Sequence, residues 1–358
     1  NEPPMPDASA PDDRLNQMVR GWAPAVEEAL IGRVGAPRAT RLTLGYAGEF
    51  SESYRTRTRP EEGAADILRL AALAGPEDRG VRLFRRDTDG HGQLRIKAYR
   101  RGGLIPLSDA VPVLENFGFR VLEEVPSVVG GGSLGHISDF LLELPPEADV
   151  KSILARAAEI ETAISCVFSR EAENDEFNQL TLFAGLDTQP VVWLRAWFRY
   201  LRQTGSSFGL VTVVDALRRA PKATVALVGL FTVLHDPSVK RGRDDKVEQM
   251  RRQFDDALSA VRSIDDDRIL RRLRALVDAI LRTNAFAQKS DEALAFKINS
   301  SLVPGLPRPV PWREIWVYSP RVEGIHLRGG AVARGGLRWS DRRDDFRTEI
   351  LGLMKAQL

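Results

Sequence analysis

Val81-Arg-Leu-Phe-Arg-Arg86 and Leu94-Arg-Ile-Lys-Ala-Tyr99 alternate apolar and polar residues, the period of two that a half-buried strand requires. Asp89-Gly-His-Gly92 between them is a hairpin signal. Leu107-Ser-Asp109 then opens a helix, with Ser108 as N-cap and Val111, Leu114 and Phe117 as its buried face. Pro112 is expected in the first turn, where little is lost, and Gly118 closes the helix as its C′ residue. Phe119-Arg-Val-Leu-Glu-Glu-Val125 and His136-Ile-Ser-Asp-Phe-Leu-Leu-Glu-Leu144 read as two more strands, and Ala148 to Phe168 as a long helix. The order strand–strand–helix–strand–strand–helix predicts an antiparallel sheet with helices on one face.

Working outward, residues 12–32 show a helical pattern (Leu15, Met18, Val19, Trp22, Val26, Ala29, Leu30) that Pro24 is expected to kink. A second helix over 61–74 offers Ile67, Leu68, Leu70, Ala71 and Leu73 for burial, with a short strand expected within Arg41–Phe50. From Val191 to Phe286 nearly everything reads as helix, most clearly Asp267–Leu281, and no period argues for a solenoid. Residues 301–312 carry four prolines and read as a linker or rigid extended arm. Glu314-Ile-Trp-Val-Tyr318, Gly324-Ile-His-Leu-Arg328 and Gly335-Gly-Leu-Arg-Trp-Ser340 then read as strands. Ser340 or Asp341 caps a final helix carrying Phe346, Ile350, Leu353 and Met354.

The fold class is therefore α+β. The expected division is a linker over 1–11, a helical or α+β segment over 12–80, and the sheet-and-helix domain over 81–168. A helical domain follows over 169–300, the Pro-rich linker over 301–312, and the start of a further, truncated α/β domain over 313–358. The layout of 81–168 resembles the small regulatory ACT fold, by order of elements and not by motif.

Charge and cysteine content narrow the function classes. The chain holds 51 Lys+Arg against 49 Asp+Glu, a net charge of +2, so no global field points to nucleic acid or an anionic membrane. Hydrophobic content of 43% and charged content of 28% are those of a folded soluble protein. The longest apolar run, Ala223–Leu234, falls short of the ~20 residues that a bilayer requires. The single Cys166 lies in an apolar helical pattern, is expected to be a buried packing residue, and fits a reducing, cytoplasmic setting. His91, His136, His235 and His326 are dispersed, so no zinc site is readable.

Three stretches invite a chemical reading. Gly130-Gly-Gly-Ser-Leu-Gly135 has G-x-G-x-x-G spacing, but a strand follows it where a dinucleotide site needs a helix, so an inter-strand loop is expected. Lys240-Arg-Gly-Arg-Asp-Asp-Lys246 resembles a phosphate patch, but its acidic neighbours make it a solvated loop. Arg334-Gly-Gly-Leu-Arg-Trp-Ser340 combines glycines that allow close backbone approach with arginines suited to bidentate carboxylate binding. Two readings of this last stretch stand: a cradle for a dicarboxylic amino acid, or a tight turn with solvated arginines.

The wider pattern adds weight to the first. Glu323-Gly-Ile-His-Leu-Arg-Gly-Gly330, Arg334 through Glu349, and Leu351-Gly-Leu-Met-Lys-Ala-Gln357 resemble the large bacterial NAD-specific glutamate dehydrogenases. So do Ile105-Pro-Leu-Ser-Asp-Ala-Val-Pro-Val-Leu-Glu-Asn-Phe-Gly118 and Asn284-Ala-Phe through Tyr318-Ser-Pro-Arg-Val-Glu-Gly324. The resemblance implies ACT-like modules, a helical region and the first strands and helix of a dehydrogenase core. It implies a substrate pocket lined by Arg334, Gly335, Gly336 and Arg338. Ser340 would donate a hydrogen bond nearby, and Lys355 or a later lysine would grip the α-carboxylate. NAD would be bound downstream of this chain, where the catalytic residues would also lie. The partners implied are L-glutamate and 2-oxoglutarate, a homo-oligomer and a small-molecule effector, without nucleic acid or membrane. The alternative is a non-catalytic ACT-type regulatory or oligomerisation module.

Overall fold

The computed structural model describes residues 21–287, 293–338 and 346–357. The linker expected at 1–11, the first part of the helix expected from residue 12, and Ser340 and Asp341 lie outside the described residues. The chain divides into two compact units, residues 1–115 with 119–169, and residues 116–118 with 170–358.

The first unit opens with helices α1 (Trp22–Val34), α2 (Ala36–Tyr46), α3 (Glu52–Arg57) and α4 (Pro60–Ala72). Pro24 sits in the first turn of α1, where its missing N–H would have had no intrahelical acceptor, so the expected kink is absent. The strand expected within Arg41–Phe50 is instead α2 and a short 3-10 turn. Gly35 at φ 80° ends α1, and Pro37 in the next turn starts a new helix.

The sheet follows: β1 (Gly80–Phe84), β2 (Gln93–Arg100), β3 (Arg120–Val129) and β4 (Gly135–Glu143), ordered β1-β2-β4-β3 and antiparallel throughout. This is the layout expected for 81–144. Helix α5 (Leu107–Asn116) joins β2 to β3. Gly118 at φ 96° closes it, with the Phe119 N–H donating to Leu114 O at 3.2 Å, a Schellman arrangement. The N-cap position belongs to Pro106, whose carbonyl accepts from Asp109 and Ala110, so Ser108 lies inside the helix and Pro112 in its middle. The Gly130–Gly135 stretch is the β3–β4 connection, as expected.

The helix expected over 148–168 is broken into α6 (Val150–Ala155) and α7 (Ala157–Phe168), because Arg156 leaves helical geometry at φ −112°, ψ 24°. Cys166, on α7, is half-buried rather than buried. Glu161 of α7 accepts the Leu83 N–H of edge strand β1 at 2.8 Å, which occupies a donor that would otherwise seek another strand.

The second face of the sheet meets α1–α4 through Tyr99, Val129 and Ile137, which share a core with Val26, Leu30, Ile67 and Leu70. A strand lysine is buried here because acids await it. Lys97 contacts Glu62 at 2.5 Å and the fully buried Asp66. Asp66 also accepts from Tyr54 and, at 2.7 Å, from Tyr99 Oη. Burial, and then the Asp66 charge, push both phenols well above their ordinary pKa. Arg86 clamps Glu62 at 2.9 and 2.5 Å, and these bonds with the Lys97 charge outweigh burial, holding the Glu62 carboxyl at about 2.

The second unit is helical before it is a sheet: α8 (Gln179–Phe183), α9 (Thr188–Gln203), α10 (Leu210–Arg219), α11 (Pro221–His235), α12 (Arg243–Ser259) and α13 (Ile264–Ala279). Arg243, from the basic stretch at 240–246, donates to the carbonyls of Val233, Leu234, Asp236 and Val239 at 2.5–2.8 Å and so caps the end of α11.

Helix was expected as far as Phe286, but α13 stops at Ala279 and the chain passes directly into β5 (Ile280–Thr283). Ile280 pairs with Ile298 and Thr283 with Phe296, so strand pairing overrides an apolar run that helical spacing also fits. Then come β6 (Leu294–Ile298), β7 (Arg313–Tyr318), β8 (Glu323–Gly329) and β9 (Val332–Arg338), an antiparallel sheet in sequential order from β5 to β9. The Pro-rich 301–312 stretch connects two strands of this one sheet. Helix α14 (Phe346–Lys355) packs on β8 and β9.

Candidate functional site

Register and pleat decide what Arg334-Gly-Gly-Leu-Arg338 faces. Along β9, Arg334, Gly336 and Arg338 point one way, opposite Leu327, Ile325 and Glu323 of β8. Those β8 residues stand opposite Glu314, Trp316 and Tyr318 of β7. All six on β7 and β8 are buried, so the motif's charged residues lie on the covered face of the sheet. His326 is on the other, exposed face.

The covered face has an apolar middle flanked by two buried carboxylates. Glu323, 2% exposed, receives Arg338 as a two-point pair, Nε and Nη2 at 2.9 and 2.8 Å. Its other oxygen lies 3.8 Å from Arg199 Nη1. The second nitrogen of Arg199 donates to Glu173 at 3.0 Å, and Glu173 also accepts from Tyr318 Oη at 2.7 Å. Behind it, the fully buried Arg195 bridges Asp175 at 2.8 and 2.7 Å. Burial opposes the Arg195 charge, but Asp175 more than offsets it and raises the guanidinium pKa.

Glu314 carries the second cluster. Arg347, fully buried on α14, donates to it from Nε at 2.9 Å and Nη2 at 2.6 Å, and Tyr200 Oη donates at 3.1 Å. Gln203 accepts the Arg347 backbone N–H at 2.9 Å, supplying an acceptor to the first turn of α14. Burial opposes the charge on Arg347, and the hydrogen-bonded Glu314 carboxylate reverses that effect and raises its pKa. Helix α9 delivers Arg195, Arg199 and Gln203 from one face at four-residue spacing. Trp316 Nε1, donating to Ala196 O at 3.0 Å, fixes β7 to the same helix.

Gly336 seats α14. A Cβ there would stand 2.8 Å from Ile350 Cδ1 and 3.4 Å from Phe346 Cε2, so a side chain at this position would force the tip of Ile350 to move for the helix to stay this close. Arg334 differs from Arg338. It is half-buried, its Nη1 donates to Ala333 O at 3.0 Å, and no carboxylate pairs with it among the described residues. Among the described residues, Arg334 is thus a guanidinium without a carboxylate partner beside a glycine pair, on a face where Arg195, Arg199, Arg338 and Arg347 each meet an acid.

Sequence comparison places this sheet. The family described as "Bacterial NAD-glutamate dehydrogenase, catalytic domain" matches residues 253–358. Three further descriptions from glutamate dehydrogenase match upstream: helical motif 3 at 172–237, the ACT3 domain at 78–153 and helical motif 2 at 29–73. The chain belongs to the bacterial NAD-specific glutamate dehydrogenase family. It is similar to the NAD-specific glutamate dehydrogenases of Halomonas elongata (38% identity, 97% of this chain) and Pseudomonas aeruginosa (37%, 97%). That of Mycobacterium tuberculosis is 39% identical over 96% of the chain. The chain spans 22% of the length of each of these relatives.

Within the segment that matches the catalytic-domain family, the structure brings Arg334, Gly336 and Arg338 onto one face and leaves Gly335 on the other. Lys355 is exposed in the last turn of α14, and Ser340 lies outside the described residues. Glu314, Glu323, Arg199 and Arg347, which build the surroundings of the motif, were not singled out in the sequence. The available signal was Trp193-Leu-Arg-Ala-Trp-Phe-Arg-Tyr200, where arginines recur every four residues inside an aromatic stripe and must find buried acids.

A dinucleotide grip does not fit these residues, because the G-x-G-x-x-G spacing at Gly130 leads into β4 and not into a helix. Among the described residues, no three His, Cys, Asp or Glu side chains gather to hold a metal, and no helix is long and apolar enough to cross a membrane.

Proposed function

We propose that this chain supplies scaffold and regulatory parts, and the first elements of the substrate pocket, of an enzyme converting L-glutamate and NAD to 2-oxoglutarate, ammonia and NADH. The observation that carries the reading is Arg334, without a carboxylate partner among the described residues, beside Gly335–Gly336 and inside the segment that matches the catalytic domain. A planar guanidinium on a water-poor face suits a side-chain carboxylate, and fixing that carboxylate places Cα for hydride transfer. The cation for the α-carboxylate comes from α14 or the chain after it, Lys355 being the candidate within these residues. Ser340 adds a hydrogen bond. NAD, the proton-transfer lysine and the catalytic carboxylate are assigned to residues outside this chain, so no chemical step is routed through it here.

A second reading rests on the ACT3 match at 78–153 and on β3 being the outer strand of its sheet. It assigns the 81–168 region to binding an effector or another subunit of a homo-oligomer. Both readings are tested by glutamate-dependent NAD reduction in the full-length protein beside the 1–358 chain. Turnover by the former alone is expected. Turnover by 1–358 alone would overturn the assignment of catalysis to residues outside it, and inactivity of the full-length protein would overturn the dehydrogenase reading.

A further inference from the structure

A cleft opens where α9, α10 and α13 meet. Phe198 and Leu201 of α9, Val213 of α10, and Ile269 and Leu273 of α13 form its walls, with Phe208 from the α9–α10 connection. It encloses about 260 Å³, the space open to solvent included. Its polar lining is Ser206 and Arg272, and no acid stands among the lining residues. Arg272 is the exception on α13. Arg268, Arg271 and Arg274 reach Asp265, Asp267 and Asp278 at 3.5, 2.8 and 2.8 Å. Arg272 is half-buried, and no acid of the described residues pairs with it. Burial alone acts on it, lowering its pKa. A guanidinium keeps its charge under such a shift, so a cation stands at an apolar wall with nothing offsetting its lost hydration.

We infer that this cleft binds a small branched aliphatic carboxylate without an amino group, its carboxylate on Arg272 and its hydrocarbon tail between Phe198, Val213 and Leu273. Volume sets the size. Clefts for drug-sized ligands run to roughly 300–1,000 Å³, so this one suits a tail of about four carbons. The head group follows from Arg272, whose planar fork matches a carboxylate and gives up no acid on binding one. The acid-free lining disfavours an amino acid, because an ammonium beside the carboxylate would lose water and gain no counter-charge. The inference goes beyond the glutamate reading and does not depend on it. Phe198 and Leu201 flank Arg199 and Tyr200 on α9, so the helix that forms this wall also backs Glu323 and Glu314.

The test is calorimetric titration of the full-length protein with isovalerate, with and without 2-oxoglutarate. Saturable binding is expected, unchanged by 2-oxoglutarate. Acetate, which lacks the tail, and valine, which adds the ammonium, should each bind about tenfold or more weaker. Replacement R272Q should weaken isovalerate by about tenfold or more through loss of the charge-assisted contact. Its thermal midpoint should stay where it is, because the replacement strands no acid. V213F, which fills the cleft, should abolish binding, and it carries the test should R272Q fail to fold. No saturable binding by the wild type, equal binding by R272Q or V213F, equal affinity for valine, or displacement by 2-oxoglutarate overturns the inference. A full-length protein that binds isovalerate but does not turn over glutamate overturns the dehydrogenase reading alone.

Discussion

At the scale of single residues, buried charge in this chain is tolerated only where it is paired. Glu314 and Arg347 are both 0% exposed and joined by two short hydrogen bonds. Replacement E314Q leaves Arg347 without its counter-charge and is expected to cost about 3–5 kcal/mol, read as a lower denaturant midpoint. The double replacement E314Q/R347M should cost less than E314Q alone, since it removes the orphaned charge. His235 shows the opposite behaviour. Burial, and then the nearby Arg243, lower its pKa from 6.5 to about 4, so the folded chain holds it neutral. Its contribution is full above pH 6.5 and is lost as pH falls toward 4, because the unfolded chain takes the proton first. The ring is half-buried, so solvent screening cuts this to roughly 1–2 kcal/mol. Urea midpoints at pH 7 and pH 5 should differ less in H235F than in wild type.

At the scale of elements, the Gly-Gly pair that marks the motif serves packing at one of its two positions. Gly336 lets α14 rest on β9, and G336A would drive a methyl into Ile350. The expected loss is about 1–3 kcal/mol, with partial recovery in G336A/I350V, measured by thermal unfolding. If the second change brings no recovery, Gly336 is required for something other than seating the helix. The strands at 81–84, 94–99, 314–318 and 324–328 were legible because apolar residues recur at alternate positions in each, the period of a strand. The β5 strand was not legible, since Ile280-Leu-Arg-Thr283 continues the apolar pattern of α13 and only its partner β6 makes it a strand.

At the scale of the molecule, each unit couples helices to an antiparallel sheet, and each buries ion pairs where the two layers meet. In the first unit Asp66 and Glu62 of α4 meet Lys97 of β2, and in the second Arg199 of α9 meets Glu323 of β8. That the G-x-G-x-x-G spacing at Gly130–Gly135 leads into strand β4 has a direct consequence. Calorimetric titration with NAD should give binding to the full-length protein and none to the 1–358 chain. Saturable binding by 1–358 would require a dinucleotide site of another kind within these residues.

The sequence by itself determined the class of the fold, the four-stranded sheet between Val81 and Leu144, and the family, because alternation, turn residues and long motifs are local properties of the chain. It also marked Arg334, Gly335, Gly336 and Arg338 as a group. Only the tertiary structure decided that Arg338 is held by Glu323, that Arg334 meets no carboxylate among the described residues, and that Gly336 seats a helix. Those outcomes depend on cross-strand register and on side chains more than a hundred residues away on α9, and the electrostatics of a buried charge are set by whichever group folding places beside it.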